Sequence, residues 1–278
     1  RSGDWSSDVC SSDLLFSLGI VIRFKNFREE AINRLEEINL IKEKANVELE
    51  EKVKLRTEEI EFQKQEIEAK NEEIISSISY AKRIQEALLP NPLKRAHLLP
   101  TSQLWYAPKD IVAGDFYWME EKHINGTDFV FFAIGDCTGH GVPGAMMSVL
   151  CTNALNAALT ALTTVSTSEL LERCSAILRE NLNQYNGTIN DGMDISVCCL
   201  ETGSKSLIWS GANNPLWILR SGELIEFSPT KRPIGNTTIS DIFEEHKMVL
   251  EERDFLLLFS DGIIDQFGGP KGKKFKKT

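Results

Sequence analysis

Three aspartates beside glycines have the residue types and spacing of a site for hard metal ions. Asp115 follows Ala-Gly, Asp136 follows Ile-Gly, and Asp261 stands between Ser and Gly, each next to an apolar segment. A carboxylate held close to a protein core needs a counter-charge. Oxygen ligands without His or Cys suit Mg²⁺ or Mn²⁺, and two such ions can hold a hydroxide for attack on phosphorus. One Asp-Gly alone is more often a turn, so the set of three predicts the site.

Cys137 and His140, which follow Asp136, are weaker candidates. The Cys137 thiol suggests a cysteine phosphatase, but that chemistry needs a phosphate-binding loop with an arginine soon after the thiol. The next arginine in the chain is Arg173. His140 suits either a general acid or a cap on the helix that begins near Val142. We favour the structural role, because a single His is seldom decisive.

Two further aspartates are candidates to support the ligands rather than to bind metal. Asp194 begins a predicted strand in the sequence Gly-Met-Asp-Ile-Ser, and we interpret it as a strand-end carboxylate whose hydrogen bonds are satisfied. Asp265 lies four residues after Asp261, so the two share a face if a helix follows the Ser-Asp-Gly turn.

Short strands and two helices must position these residues. Strands separated by Asn-Gly, Thr-Gly and Ser-Gly turns are predicted at 115–121, 128–135, 194–201, 205–211, 216–220, 223–227 and 254–260. An apolar helix at 144–161 is predicted to lie against a sheet, and an amphipathic helix at about 168–184 opens with a capping box formed by Ser166 and Glu169. Hairpins imply antiparallel sheets, so the fold class is α+β with helices packed on sheet.

A long charged helix precedes this domain. Residues 27–89 contain no Pro or Gly, which predicts one continuous helix. Apolar or small residues recur at every seventh position, at Val53, Ile60, Ile67, Ile74, Ala81 and Leu88. The second apolar line is interrupted by polar residues, so we predict a coiled-coil signalling helix that is weak in its middle and forms a homodimer. A solvated charged helix without a partner is the alternative.

The chain outside this helix is divided by its local composition. Pro90-Asn91-Pro92 ends the helix, and a globular domain is predicted over 90–278. Residues 1–14 look like a translated sequencing adapter and are interpreted as non-native. The apolar run from Leu14 to Ile22 is shorter than the ~20 residues that span a bilayer, but cations follow it at once. We therefore interpret 15–26 as the end of a transmembrane helix, with a frayed helix start as the alternative.

Composition restricts the class of partner. The chain has 278 residues and a formal net charge of −10, which argues against binding to nucleic acid or anionic membrane. Its hydrophobic content of 42% is ordinary for a protein with a substantial core. The six cysteines form no C-x-x-C pair, and most lie in apolar runs, which favours a reducing cytoplasm for the catalytic domain. The predicted location is cytoplasmic, with the full-length protein anchored in the inner membrane.

From about Ile84 to Phe275 the chain resembles the SpoIIE/RsbU branch of the PPM-type serine/threonine protein phosphatases. Four sequence motifs in a fixed order carry the resemblance: KDIVAGDFY at 109–117, GDCTGHGVPGA at 135–145, SGANNP at 210–215 and SDG at 260–262. The resemblance implies a sandwich of two antiparallel β-sheets flanked by α-helices, with the metal centre between the sheets. The activity that it implies is hydrolysis of phosphoserine or phosphothreonine on a protein.

The resemblance also implies roles for particular residues. Asp115, Asp136 and Asp261 would bind two divalent cations, Mn²⁺ or Mg²⁺, with help from the backbone carbonyl of Cys137, and metal-bound water would be the nucleophile. The implied substrate is a phosphorylated STAS domain of the anti-anti-sigma type. A further family aspartate, in an Asp-Asp-x-Thr word about forty residues beyond Ser-Asp-Gly, has no counterpart before Thr278. We therefore expect a fragment that is truncated at both ends and has little activity.

Two other classes of function remain open. A catalytically inactive phosphatase-like scaffold would bind a regulatory protein without turnover. A sensor kinase is suggested only by the coiled coil and the membrane segment, and the chain has neither a phosphoacceptor His in the long helix nor a nucleotide-binding glycine pattern. In the favoured hypothesis the coiled coil transmits a signal into the helix at 144–161, which follows Asp136.

Overall fold

Two compact units make up the chain, Arg1–Glu73 and Ile74–Thr278. The structure, a computed structural model, describes residues 11–183, 191–235, 241–263, 267–268 and 273–274. Most of the adapter-like segment, residues 1–10, lies outside this range, as does Asp265. The proposed domain bounds at 14, 26 and 89 stay predictions.

The first unit is helical throughout its described part. Helix α1 spans Ser11–Leu88, which confirms the continuous helix predicted for 27–89. Ion pairs between successive turns line it, such as Lys52 with Glu48 at 2.6 Å, and each exposed pair of this kind contributes only about 0.3–0.5 kcal/mol. The predicted heptad residues Val53, Ile60 and Ile67 are 56–62% exposed. Packing within the unit therefore leaves this apolar line in contact with water.

The second unit contains the predicted strands and helices together with several shorter elements. Its elements after α1 are α2 (Pro92–Leu98), β1 (Phe116–Ile124), β2 (Thr127–Cys137), α3 (Gly141–Ala161), α4 (Thr167–Asn183), β3 (Gly192–Glu201), β4 (Ser206–Ala212), β5 (Leu216–Arg220), β6 (Glu223–Phe227), β7 (Ile234–Gly235), β8 (His246–Val249), β9 (Phe255–Leu257), a 3₁₀ turn (Asp261–Ile263), β10 (Phe267–Gly268) and β11 (Lys273–Lys274). The sequence did not predict α2, β7, β8, β10 or β11.

Helix α2 begins within the segment that ends α1. Pro90 follows α1 at its end, as predicted, but the residues after it begin a new helix. The side chain of Asn91 accepts a hydrogen bond from the backbone N of Lys94 at 2.8 Å, and Pro92 occupies the first turn. Proline is tolerated there because its missing N–H would have no helical partner. The same residues therefore end one helix and cap the next.

Two antiparallel sheets form the centre of the second unit. The larger sheet has the order β1-β2-β3-β4-β8, with β7 also paired to β3, and the smaller one has the order β6-β5-β9. One face of the larger sheet packs on α3 and α4 through a buried cluster that includes Phe131 and Leu155. Its other face contacts the smaller sheet through Trp209, Leu216 and Ile218. The predicted α+β sandwich is confirmed, with its described helices α3 and α4 on one side.

Helix α3 is the apolar helix that the sequence predicted to be covered. Within the described residues it alone is long and apolar enough to cross a membrane, and 56% of that stretch is buried inside the protein. Cys151, Leu155 and Ala158 are fully buried. Such a helix passes a hydropathy test because it lies in the core.

The start of α4 confirms only half of the predicted capping box. Ser166 accepts a hydrogen bond from the backbone N of Glu169 at 3.1 Å, as an N-cap should. The carboxylate of Glu169 does not return to the Ser166 backbone. It accepts hydrogen bonds from Thr164 and Arg173, which lower the pKa of Glu169.

Candidate metal centre

Close backbone packing brings the first two predicted ligands together. Asp115 directly precedes β1, and Phe116 pairs with Gly135 on β2, so the two strands carry Asp115 and Asp136 to the same end of the sheet. A Cβ at Gly144 would lie 2.5 Å from the carbonyl oxygen of Gly139 and 3.2 Å from the Cα of Gly114. Only glycine allows the loops that flank the two aspartates to approach this closely.

The third predicted ligand comes from the opposite end of the sequence. Asp261 begins the 3₁₀ turn after β9, and the hydroxyl of the preceding Ser260 donates a hydrogen bond to Asp115 Oδ2 at 2.5 Å. The carboxyl groups of Asp115 and Asp261 both act to raise the pKa of Asp136, so all three groups lie close together. The structure therefore brings together Asp115, Asp136 and Asp261, which we call the acidic centre.

Electrostatics at the acidic centre favours a cation or a proton. Burial, and next the charges of the neighbouring Asp115 and Asp261, together raise the pKa of Asp136 to about 8. Like charges that are taken out of water cannot all stay ionised without a counter-charge. All three groups offer carboxylate oxygens, the ligands that Mg²⁺ and Mn²⁺ prefer. The chemistry of the donor set therefore fits a hard divalent cation.

The geometry of a preformed metal site is a separate question. Across the part of the chain that the structure describes, no group of three or more His, Cys, Asp or Glu side chains is arranged to hold a metal ion. The acidic centre nevertheless holds three carboxyl groups close enough for Asp115 and Asp261 to raise the pKa of Asp136. Carboxylates this close to one another repel unless a cation or a proton lies between them. Metal binding by these residues stays a prediction.

Asp194 lies closer to the acidic centre than the sequence suggested. It pairs directly with Asp136 in the ladder between β2 and β3, and its Oδ1 accepts a hydrogen bond from Asn213 Nδ2 at 2.9 Å. The expectation of a hydrogen-bonded strand-end carboxylate is thus met. Burial raises the pKa of Asp194, while Asn213 and Lys231 act in the opposite direction. The two strands had been predicted separately, and only their pairing places Asp194 here.

Asp136, Asp194 and Asp261 also line one cavity of about 210 Å³. Trp217 and Phe259 contribute aromatic walls, and their ring centroids lie 4.5 Å apart. Carboxylates, a lysine and aromatic rings in one cavity suit a small polar ligand. The cavity provides room beside the acidic centre for part of a substrate.

The surroundings of Cys137 and His140 agree only in part with the structural roles that the sequence favoured. The Cys137 side chain is 4% exposed, and a hydrogen bond with Cys151, followed by burial, raises the pKa of its thiol. Both effects disfavour the thiolate that a cysteine nucleophile needs. His140 stands at the N-cap position of α3 but makes no capping hydrogen bond with its side chain, which corrects the capping role. Its exposed ring contacts Asp110 at 3.3 Å instead.

Two residues near the acidic centre were missed by the sequence analysis. Gln85 is 6% exposed; its Oε1 accepts from the backbone N of Ala113 at 3.1 Å, and its Nε2 donates to the Ala113 carbonyl at 2.6 Å and to Ser148 Oγ at 2.8 Å. The hydroxyl of Tyr106 donates to the backbone carbonyl of Asp115 at 3.1 Å. Burial, and next the Asp115 charge, raise the pKa of Tyr106 to about 12. Nothing in the sequence near either residue indicated these contacts.

Solved structures with this architecture are protein phosphatase domains. The SiaA-PP2C domain of Pseudomonas aeruginosa is similar, with a TM-score of 0.66 and 28% identity, over 74% of this chain and 79% of that chain. A fragment of SpoIIE from Bacillus subtilis, comprising its PP2C phosphatase domain and part of its regulatory domain, matches at 19% identity and a TM-score of 0.45, over 56% of this chain and 43% of that one. The RsbU and RsbW domains of a Mycobacterium tuberculosis protein match at 23% and 0.45, over 59% and 43%. No curated protein sequence gives a significant match.

The likeness to the SiaA-PP2C domain places this chain in the class of PP2C-type protein phosphatase domains, which act in bacterial signalling. Residues 127–278 match the family described as stage II sporulation protein E (SpoIIE), which is more than half of the chain. The chain belongs to the SpoIIE family, and phosphatases of this kind depend on metal ions. The resemblance noted in the sequence is confirmed.

Proposed function

We propose that this protein hydrolyses phosphoserine or phosphothreonine on a regulatory protein with two divalent cations, Mn²⁺ or Mg²⁺. The observation that carries the proposal is the meeting of Asp115, Asp136 and Asp261 in an acidic centre where the pKa of Asp136 rises to about 8. Family membership supplies the class of reaction. The substrate that the family resemblance suggests is a phosphorylated STAS domain of the anti-anti-sigma type.

The residues of this chain have defined tasks in the proposal. Asp115, before the start of β1, and Asp136, near the end of β2, would hold the cations. Asp261 would complete the centre from the 3₁₀ turn, and the Cys137 carbonyl would be a further oxygen ligand. Bound cations supply charge neutralisation for the phosphoryl group and an activated water. Ser260 orients Asp115 through the hydroxyl bond at 2.5 Å, and Asp194 accepts from Asn213 beside them.

Hydrolysis of a phosphoserine protein with and without Mn²⁺ tests the proposal. We expect Mn²⁺-dependent phosphate release by the 278-residue chain or by the longest form that its gene encodes, and none after Asp136→Asn in the same form. Asp128→Asn is the matched control, because Asp128 is an exposed aspartate on the same strand that contacts His123. Activity that survives Asp136→Asn, or that needs no metal, would contradict the mechanism.

A non-catalytic scaffold is the second candidate function. The observation that favours it is that none of the described acidic side chains forms a preformed metal site. A scaffold of this kind would bind its regulatory partner through the same domain without turnover. A folded wild-type chain that binds the partner but releases no phosphate at any Mn²⁺ concentration would favour this candidate.

A second copy of this chain is the proposed partner of helix α1. The seven-residue apolar line predicts a coiled coil, and Val53, Ile60 and Ile67 are more than half exposed. Ile60→Asn with Ile67→Asn should convert a dimer to a monomer in sedimentation experiments. Glu61→Asn with Glu68→Asn, one position along the same helix, should leave the dimer intact. A wild-type monomer at micromolar concentration would contradict the coiled coil.

Transmission from α1 to the acidic centre is the proposed regulatory route. Gln85, near the end of α1, bonds both backbone groups of Ala113 and the hydroxyl of Ser148 on α3. Ala113 lies two residues before Asp115, and α3 follows Asp136 along the chain. Two prolines placed between Ile60 and Ile74 should uncouple signal from phosphatase activity, and unchanged regulation would argue against the route. We retain a membrane anchor at 15–26 and a cytoplasmic catalytic domain as parts of this proposal.

A further inference from the structure

A residue in the lining of the cavity beside the acidic centre carries a buried polar group without a protein partner. Asn214 lines this cavity and is 7% exposed. Its Nδ2 has no hydrogen-bond partner among the described residues. Buried amides are nearly always hydrogen-bonded, so an orphaned donor in a native structure requires an explanation. A ligand that offers an oxygen acceptor would satisfy it.

The charge around the same cavity is mostly negative. Four carboxylates line it, from Asp136, Asp194, Glu226 and Asp261, together with the ammonium group of Lys231. A phosphoryl dianion that enters such a cavity is repelled unless positive charge lies beside it. Lys231 is the one cation among the described residues that line this cavity, and it lines the same cavity as Asp194.

The backbone on both sides of Lys231 is firmly held. Thr230 donates to the carbonyl of Gly211 at 3.0 Å and accepts from Asn213 at 2.9 Å. The Arg232 side chain is 4% exposed, and its guanidinium pairs with Glu172 at 2.8 and 3.1 Å and stacks 4.3 Å from the centre of the Phe243 ring. Lys231 itself is exposed. A fixed backbone that carries an exposed ammonium group is suited to meet an incoming anion.

We propose that Lys231 and the Asn214 amide bind the phosphoryl group of the phosphorylated substrate in this cavity. The inference rests on the proposed phosphatase function and adds binding residues outside the acidic centre. Lys231 supplies a charge-assisted hydrogen bond to a phosphoryl oxygen, and Asn214 supplies a neutral donor. The Trp217 ring, which lines the cavity, packs against the carbon atoms of the phosphorylated side chain.

Binding of a phosphonate peptide tests this proposal without turnover. In the probe, a methylene group replaces the ester oxygen of phosphoserine, so the peptide cannot be hydrolysed at that bond. Its dissociation constant is measured calorimetrically in Mg²⁺ for the wild type, Lys231→Met, Lys231→Arg and Asn214→Leu. We expect Lys231→Met to weaken binding about tenfold, Lys231→Arg to restore most of it, and Asn214→Leu to weaken it less.

Lys247→Met provides the matched control. Lys247 is an exposed lysine on β8 that contacts Glu245 and lies outside the cavity lining, so its loss should change nothing. The Mg²⁺ affinity of Lys231→Met should not fall below that of the wild type, because the substitution removes a positive charge near the acidic centre; this separates phosphoryl binding from damage to the acidic centre. Equal peptide affinities for the wild type and Lys231→Met, or no binding by the wild type, would overturn the inference.

Turnover distinguishes this inference from the function on which it rests. If Lys231-dependent phosphonate binding occurs but no form of the protein releases phosphate, the phosphatase proposal fails and a phosphoprotein-binding scaffold remains. If phosphate is released and Lys231→Met raises KM with kcat little changed, both stand. Hydrolysis with an unchanged KM in Lys231→Met would overturn the role of Lys231 alone.

Discussion

The two sides of the acidic centre are held in different ways. Asp136 lies in the second strand of a six-stranded sheet. Helix α3 begins five residues later, and its Gly144 packs against the backbone of Gly139 with no room for a side chain. Asp261 lies in an exposed 3₁₀ turn, and the hydrogen bond from Ser260 to Asp115 ties that turn to the other side. The first side is therefore preorganised by the core, whereas the second depends on a few polar contacts.

Asp136→Asn should have the largest effect, because it removes the central carboxylate from the better-held side. We expect metal-dependent phosphatase activity to fall more than about 100-fold, beyond the loss that is usual for residues that only support a metal ligand. The measurement is phosphate release at saturating Mn²⁺, with circular dichroism to verify folding. A loss of less than tenfold would show that Asp136 is not central to the reaction.

The pH dependence of stability without metal should reveal the same carboxylate. Burial and two neighbouring carboxylates raise the pKa of Asp136 from 3.8 to about 8 in the folded chain, so the folded state keeps a proton that the unfolded state loses. The free energy of unfolding should therefore fall as pH rises from about 4 to 8, by up to about 1.4 kcal/mol per pH unit.

Thermal unfolding in EDTA across this pH range measures the effect. Asp136→Asn should flatten the trend, and added Mg²⁺ should stabilise the wild type most at high pH, where the carboxylates are ionised. A wild-type Tm that rises steadily from pH 5 to pH 8 in EDTA would contradict the charge assignment.

Gly144→Ala tests the glycine contact on the better-held side. Alanine normally stabilises a helix relative to glycine by up to about 1 kcal/mol, but here its Cβ would meet the Gly139 carbonyl at 2.5 Å. We expect a net loss of about 1–3 kcal/mol in the free energy of unfolding, measured by urea denaturation. Asn153→Ala, at an exposed position of the same helix, should be neutral or slightly stabilising.

Ser260→Ala should have the smallest effect on stability and tests the weaker side. It removes the hydrogen bond to Asp115, with a loss of about 1 kcal/mol or less in unfolding free energy and a reduced affinity for Mn²⁺ measured by calorimetry. Ser204→Ala, which removes a serine–carboxylate contact with Glu201 in an exposed turn, should leave Mn²⁺ affinity unchanged. A stability loss larger than that of Gly144→Ala would reverse the comparison between the two sides.

Local patterns in the sequence determined much of this protein. Short apolar segments separated by Gly-containing turns predicted seven of the strands close to their observed bounds. The absence of Pro and Gly predicted most of α1. The motifs in which an aspartate adjoins a glycine identified the three carboxylates that the fold brings together. These features depend on neighbours within a few residues, so the sequence shows them directly.

Tertiary structure alone decided which distant residues meet. Gln85 bonds Ala113 and Ser148, 28 and 63 residues further along the chain, and no local pattern encodes such a contact. The pairing of β2 with β3 placed Asp194 beside Asp136, and the approach of Thr230 to Gly211 placed Lys231 at the cavity. These positions follow from strand order and from the burial of whole faces, which depend on the packing of the entire domain rather than on any one segment.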